Sequence, residues 1–321
     1  MKKLVTYKTT RSVIAAIGCV AVVAAIAIRC TNNGTVNDET PTSGNIKILA
    51  DESFEPIVNA EIATFTGLYK RAHITPTFVP EKDLITAFLK DSVKLVVSSW
   101  EPTEEQKKLL FETQIVVRTT AVAYDAIALV INKENKDSLF TYQNVNDLFT
   151  GKIADWKDIN PTSKLGKIVT VFDNDKSANI RYFKELFKLG DTLPANFYSV
   201  KNNSEVVDYV SQNKGALGLV SVNWICDHRD STSRAFSNKI KTIAVSHQYL
   251  SPGIYSMPDQ GSIYDKSYPF TRTVNLVSRE TFRGLGSGFT TWFAAEQGQR
   301  IVLKSGLVPA TMPIRLIQFK K

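Results

Sequence analysis

Cysteine, histidine and methionine are scarce in this chain, three of each among 321 residues. Cys19, Cys30 and Cys226 are too few for a disulfide scaffold. His73, His228 and His247 are widely spaced and have no cysteine pair beside them, which excludes the usual zinc patterns. With 16 glycines and 12 prolines the chain is not low-complexity. The sequence also lacks a Gly-x-Ser-x-Gly elbow, a His-Glu-x-x-His pair, paired His/Asp metal spacing and a Walker loop. These absences speak against an enzyme, and no cofactor or metal is implied. The three histidines read as surface or core residues. Cys226 reads as a small buried apolar residue with no partner for an intramolecular disulfide.

What is present is ordinary globular composition, 43% hydrophobic and 22% charged, in a chain long enough for two domains. The net charge of +8 is unevenly placed. Lys2, Lys3, Lys8, Arg11 and Arg29 face no acid within residues 1–29, so the rest carries only +3. A basic excess held in a leader does not indicate nucleic-acid binding, and no later run interleaves clustered basic residues with aromatics.

Residues 12–28 form an apolar run behind the basic start, the layout of a secretory signal. At 17 residues the run sits at the lower limit for spanning a bilayer. Residues 1–29 are therefore read as a signal or leader segment. Cys30 opens a polar tether, residues 30–44. A cysteine at the end of a leader and before such a tether resembles a bacterial lipoprotein, which implies acylation at Cys30. Arg29, where a small residue is usual, departs from that pattern and leaves open plain cleavage or an uncleaved helix. In each case the body faces an extracytoplasmic space, tethered to or near the membrane.

Beyond the tether, strands and helices alternate. The patterns predict strands at Asn45–Ala50, Ile74–Val79 and Lys94–Val97, with helices over Pro56–Thr66 and Leu84–Lys90. Thr103-Glu104-Glu105-Gln106 opens another helix with a cap and first-turn acids. A long apolar stretch covers Ile115–Val122 and Ile127–Asn132 around Tyr124-Asp125. A second unit follows, with strands Ile168–Phe172 and Ala216–Val220 and helices over Thr141–Phe149, Ile180–Leu189 and Ser204–Gln212. The chain then returns through strands Lys241–Val245 and Thr271–Leu276 to a long helix over Gly288–Ser305. This alternation indicates α/β layers, and the late return suggests two lobes with a ligand cleft between them.

Five segments carry a resemblance. They are Asp125–Asn132; Leu148–Ile153 with Trp156; Gly215–Ser221; the Tyr268-Pro269-Phe270 turn with Arg272; and Gly298-Gln299 leading to Gly306–Pro309. In this order, across residues 45–315, they resemble the phosphate-binding protein family of ABC transporters, within the type II periplasmic binding proteins. The resemblance implies a bilobed α/β fold, two lobes joined by crossover strands, closing like a hinge on an oxyanion. Lobe 1 would comprise residues 45–123 plus 246–321, and lobe 2 residues 124–245. It further implies phosphate or a similar small oxyanion as ligand, a membrane permease as partner, and no catalytic residues.

The expected site follows from helix starts, whose unpaired N–H groups hold anions. One is Asp51-Glu52-Ser53-Phe54-Glu55-Pro56, where Ser53 falls on a family Ser/Thr position and has a helix cap as its alternative role. Another is Asp173–Asn179, where Ser177, Ala178 and Asn179 fall on the family's Ser-Gly-Thr phosphate loop. Ser99, after the third strand, falls on a position often charged in the family, and Trp100 walls the pocket or packs between lobes. The family's anchoring Arg falls on Asp173. Lys176 and Arg181 are the nearest candidates to replace that cation, with Arg181 one turn beyond Ser177 on the same helix face and a solvated or ion-paired surface arginine as its alternative role. Asp51, Glu52, Glu81, Asp83, Asp173 and Asp175 all lie on loops expected near the cleft. A carboxylate within 4 Å of phosphate repels it by about 4 kcal/mol at an effective dielectric of 20. Either most of these acids face solvent, or the protein is a binding, sensory or accessory subunit of the same fold with a changed ligand.

Overall fold

The computed structural model describes residues 39–247 and 253–313. The leader, Cys19, Cys30 and the tether up to residue 38 lie outside the described residues. Among the described residues, no helix is long and apolar enough to cross a membrane.

Twelve strands are described: β1 (Gly44–Asp51), β2 (Ala72–Val79), β3 (Leu95–Ser98), β4 (Arg118–Asn132), β5 (Leu139–Thr141), β6 (Val169–Phe172), β7 (Phe197–Ser199), β8 (Ala216–Ser221), β9 (Ile240–Thr242), β10 (Ala244–Ser246), β11 (Thr271–Ser278) and β12 (Val308–Pro309). Their main path runs β2-β1-β3-β11-β4-β8-β6-β7, with β9 and β12 also on β4 and a separate β5–β10 pair. β1 is parallel to β2 and β3, and β6 is parallel to β7 and β8. Between these parallel halves lie the antiparallel strands β11 and β4.

The bilobed architecture follows from β4. Its segment Arg118–Ala126 pairs with β11, and its segment Ile127–Ile131 pairs with β8. One strand therefore serves both lobes and carries the chain across. It can do so because residues 125–132 are all buried, which suits a strand covered on both faces. The apolar stretch on either side of Tyr124-Asp125 is thus one strand of 15 residues.

Each half has its own core. Phe140, Phe149, Trp156, Phe183 and Phe270 pack around the later part of β4, β6 and β8. Phe54, Phe65, Phe289 and Phe293 pack against β1 and β11. A smaller cluster gathers Leu84, Phe88 and Trp100. Trp100 meets Phe88 edge-on at 5.6 Å, so it packs inside its own lobe rather than walling a pocket.

Local signals explain several helix starts. Thr103 caps Glu104–Glu112 and Thr141 caps Tyr142–Phe149, each through a reciprocal capping box. Two expectations need correction. The Lys241–Val245 strand is two three-residue strands, β9 and β10, which pair with β4 and β5 respectively. The long helix over Gly288–Ser305 is two helices, Leu285–Ala294 and Glu296–Lys304, broken where Ala295 turns extended at ψ 168°. The break folds the second helix back tightly over the first. A Cβ on Gly298 would lie 2.6 Å from the carbonyl oxygens of Trp292 and Phe293, so the crossing needs glycine there.

Glu61 is a buried acid outside the cleft. Fully buried on the helix Glu55–Leu68, it accepts a 3.0 Å hydrogen bond from Trp292 Nε1. Burial pushes it up to about 9, against the pull of that hydrogen bond. A carboxyl raised in the folded state keeps its proton where the unfolded chain has lost it, so stability drains away as pH climbs from about 4.5 to about 9. Glu61→Gln retains an acceptor for Trp292 and carries no charge. The variant is expected to match the parent near pH 5 and to unfold at a higher temperature near pH 9; parallel melting curves across that range would contradict the assignment.

Candidate functional site

Between the two halves, three loops and a pair of crossing strands bring polar residues together. The first follows β1. Asp51 accepts a 2.7 Å hydrogen bond from Ser53 N and caps a short 3-10 turn, Glu52–Phe54, that leads into the helix Glu55–Leu68. The cap role considered for Ser53 therefore belongs to Asp51. Ser53 is fully buried, and among the described residues its Oγ meets no partner.

The second loop follows β6. Ser177 caps the helix Ala178–Leu186, its Oγ accepting from Ile180 N at 3.4 Å. Ala178 and Asn179 form the first turn and are fully buried. Neither end of the Asn179 amide completes a hydrogen bond of good geometry.

The third loop opens the helix Asn203–Gln212, capped by Asn202. Asn203 donates to Glu52 Oε2 at 2.6 Å and, more loosely, to Asp173 Oδ2 at 3.5 Å. Its own N–H reaches Glu52 Oε1 at 3.2 Å. This helix start thus holds a carboxylate from the opposite lobe, a charge placement its dipole favours.

The fourth group stands on the crossing strands. Arg272 on β11 is paired in register with Asp125 on β4. Its Nε and Nη2 each lie 2.9 Å from Asp125 Oδ2. Ser221, at the end of β8, donates to the same oxygen at 2.9 Å. The guanidinium rests 4.8 Å over the Phe54 ring. Arg272 is 7% exposed; among the described residues Nη1 has no partner and Nη2 completes no well-aligned hydrogen bond. Asn223 ties this group to the first loop by donating to the Ser53 carbonyl at 3.2 Å.

A cavity of about 300 Å³ lies at the loop side of this assembly, lined by Asp51, Glu52, Glu55, Asp173, Ser177, Lys201 and Trp224 among others. Its electrostatics are set by burial. Desolvation lifts Asp51 to about 7, helped by Glu81 and Asp173 and opposed by Arg272. Desolvation and the Asp173 charge lift Glu52 to about 8 against its Asn203 bonds. Asp173 is also raised, again by burial first, with Ser177, Asn179 and Arg272 pulling it back. Asp125 is raised by burial against the charge of Arg272. Much of the acid that the loops carry is therefore held toward its neutral form around neutral pH.

Ser53, Ser177, Ala178 and Asn179 come together with this buried assembly. Ser99 and Arg181 do not join it. Arg181 is bound through Nε and Nη2 to Glu81, through Nη1 to Glu185 at 2.8 Å, and through Nη2 to Ser99 Oγ at 3.1 Å. Glu81, 1% exposed, also accepts from Ser98 at 2.5 Å and Ser99 at 2.9 Å. Burial alone would raise Glu81, but Arg181 and the two hydroxyls hold it below the ordinary carboxylate range. Lys176 is similarly taken by Asp83 at 3.0 Å. Both replacement cations thus clasp the helix Glu81–Leu89 across the cleft mouth, and the buried cation is Arg272 instead. Asp83 and Asp175 face solvent, whereas Asp51, Glu81 and Asp173 do not.

Arg272, Asp125, Asn203, Ser221 and Asn223 were not among the expected site residues. A signal for Arg272 exists. It shares the period-two face of β11 with buried Val274, so a cation on that face points inward. Asp125 interrupts an otherwise apolar strand in the same way.

Among known proteins, a family model described as the PBP superfamily domain matches residues 35–297. The phosphate-binding protein PstS of Staphylococcus epidermidis is 21% identical over 250 residues, 78% of this chain and 73% of that protein. A putative phosphate ABC transporter substrate-binding protein with bound phosphate, from Clostridium perfringens, superposes with a TM-score of 0.69 at 22% identity, covering 83% of this chain and all of that one. An ABC-type phosphate transport receptor from Vibrio cholerae superposes with a TM-score of 0.62 at 17% identity over the same share of this chain.

Removing one member of a buried ion pair leaves the other uncompensated, at a cost of about 3–5 kcal/mol. Arg272→Met is expected to destabilise the protein by about that much in urea unfolding, with the slope unchanged. Adding Asp125→Asn removes the orphaned charge and should recover a large part of the loss. Equal stability of the single and double variants would mean that Asp125 is not charged against Arg272.

Proposed function

The chain belongs to the PBP superfamily, and from that premise we propose that it is an extracytoplasmic solute-binding protein that captures phosphate, or a similar small oxyanion, for an ABC transporter. The observation that carries this reading is the buried donor set between the lobes. Arg272 Nη1 and Nη2, the Asn179 amide and Ser53 Oγ are all withdrawn from water, and none has a well-made hydrogen bond. Buried donors left unpaired are costly, and a tetrahedral oxyanion satisfies several at once. The start of the helix Ala178–Leu186 adds N–H groups of the kind that bind anions. The relatives named for phosphate binding support the same ligand.

Mechanistically the protein binds and releases; it makes and breaks no covalent bond. Ser53, Asp51 and Glu52 come from the β1 side of the cleft, and Ser177, Asn179 and Asp173 from the β6 side. A ligand held by both sides stabilises the closed arrangement over an open one by its differential contacts. The clasps of Arg181 with Glu81 and of Lys176 with Asp83 add ion pairs that exist only when the sides meet. The membrane permease of the transporter receives the solute, and an acylated Cys30 holds the protein at the membrane.

The buried carboxyls Asp51 and Asp173 favour a second reading, a binding or sensory subunit of the same fold whose ligand is neutral or cationic. Calorimetric titration of the full chain at pH 6 separates the two. Phosphate is expected to bind, and Ser177→Asp, which sets a new charge at the helix start, is expected to abolish binding while leaving the melting temperature within a few degrees. No phosphate heat from the parent protein, with heat from a small organic cation, would replace the first reading with the second. Tethering is checked by fractionation: the parent is expected in membranes and Cys30→Ser in the soluble fraction, whereas a membrane-bound Cys30→Ser chain would assign the anchor to the leader helix.

A further inference from the structure

Beside the cleft lies a second cavity, of about 400 Å³. One wall is the first two turns of the helix Glu55–Leu68. Facing it are the 3-10 turn Val222–Trp224 and the start of the helix Ser231–Ser237. Glu55, Asp227 and Asp230 line this cavity, and no lysine, arginine or histidine does. Among the described residues none of these three acids is in an ion pair. Such a local excess of acid runs against the chain, whose residues 30–321 carry a net +3.

Acids alone would only face water, but two buried polar groups argue for an occupant. Asn223 is 1% exposed and Ser233 is 4% exposed, and both line the cavity. Asn223 spends its Nδ2 on the Ser53 carbonyl, and its Oδ1 meets no partner among the described residues. Ser233 N is capped by Asp230 Oδ1 at 2.7 Å, while Ser233 Oγ likewise meets none. Buried polar atoms left without a partner are costly. Both oxygens accept hydrogen bonds, as the carboxylates do, so positively charged N–H groups match the whole set. Among the described residues, no three His, Cys, Asp or Glu side chains are grouped so as to hold a metal ion. The acids therefore do not converge on one point, and a compact metal ion does not satisfy them together. A short chain with an ammonium at each end does. Pro56, Ala60 and Trp224 supply apolar wall for its methylenes.

We propose that this cavity is a second binding site, for a small primary diamine, built by Asp227, Asp230, Asn223 and Ser233 with Glu55 on the opposite wall. The site stands apart from the oxyanion reading, because Asp227, Asp230 and Ser233 do not line the cleft cavity. Glu55 and Trp224 line both cavities and form their common wall. Trp224 Nε1, also without a partner among the described residues, belongs to that shared wall and is counted for neither site.

The test is calorimetry of the full chain with butane-1,4-diamine at neutral pH and low ionic strength, with and without saturating inorganic phosphate. One diamine per chain is expected in both titrations. Asp227→Asn combined with Asp230→Asn keeps an acceptor for the Arg229 and Asp230 amides and a cap for Ser233 N. This double variant is expected to bind the diamine at least about tenfold more weakly and phosphate as the parent does. Tetramethylammonium, a cation without N–H groups, is expected to bind the parent at least about tenfold more weakly than the diamine. No diamine heat from the parent, or equal affinity in parent and double variant, would overturn the proposal. So would diamine binding that phosphate abolishes, since that places the amine in the cleft. If phosphate itself gives no heat, the oxyanion reading falls and the diamine result stands by itself. Should the double variant fail to fold, Asn59→Lys sets an ammonium on the cavity wall and is expected to cause the same loss of diamine binding.

Discussion

The ion pair between Asp125 and Arg272 is the constraint around which the cleft is organised. It joins the two strands that run between the lobes, and it does so at the level where β4 changes partner from β11 to β8. A charge pair so deep costs desolvation energy that a well-packed apolar pair would not. Its retention at this position makes sense if one face of the guanidinium serves something other than Asp125. The stacking on Phe54 and the Ser221 hydroxyl fix the pair in place, and among the described residues Nη1 of the guanidinium has no hydrogen-bond partner.

Around that pair, the rest of the cleft solves one problem: how to hold several acids close together between the lobes. Three different devices appear. Glu52 is laid on the start of the helix Asn203–Gln212, where the dipole favours it. Glu81 is matched to Arg181 and two serine hydroxyls. Asp51 and Asp173 have no full partner, and burial shifts them toward neutrality, as it also does Glu52 despite its Asn203 bonds. The first two devices also cross the cleft, so the same contacts that quiet the acids draw the lobes together.

The local parts of this design can be read from the chain. Thr103 and Thr141 announce helices through capping boxes, and Asn45–Ala50 announces a strand through its alternation. Ser177 announces a strand-loop-helix corner by standing just ahead of an amphipathic run. The long helix over Gly288–Ser305 misleads because its apolar period continues through Ala295. The break there comes from tertiary folding-back, marked only by Gly298. Arg181 misleads for a different reason. Its buried partner Glu81 is 100 residues away, and the chain near Arg181 shows only the i,i+4 partner Glu185. Arg272 and Asp125, 147 residues apart, are each visible as a charge on an inward strand position, yet their pairing depends on register alone.

A crystal structure of the chain grown with phosphate tests the centre of this description most directly. Tetrahedral density is expected within hydrogen-bond reach of Arg272 Nη, the Asn179 amide and Ser53 Oγ. Density for phosphate only elsewhere on the protein, with Arg272 still turned wholly to Asp125, would contradict it.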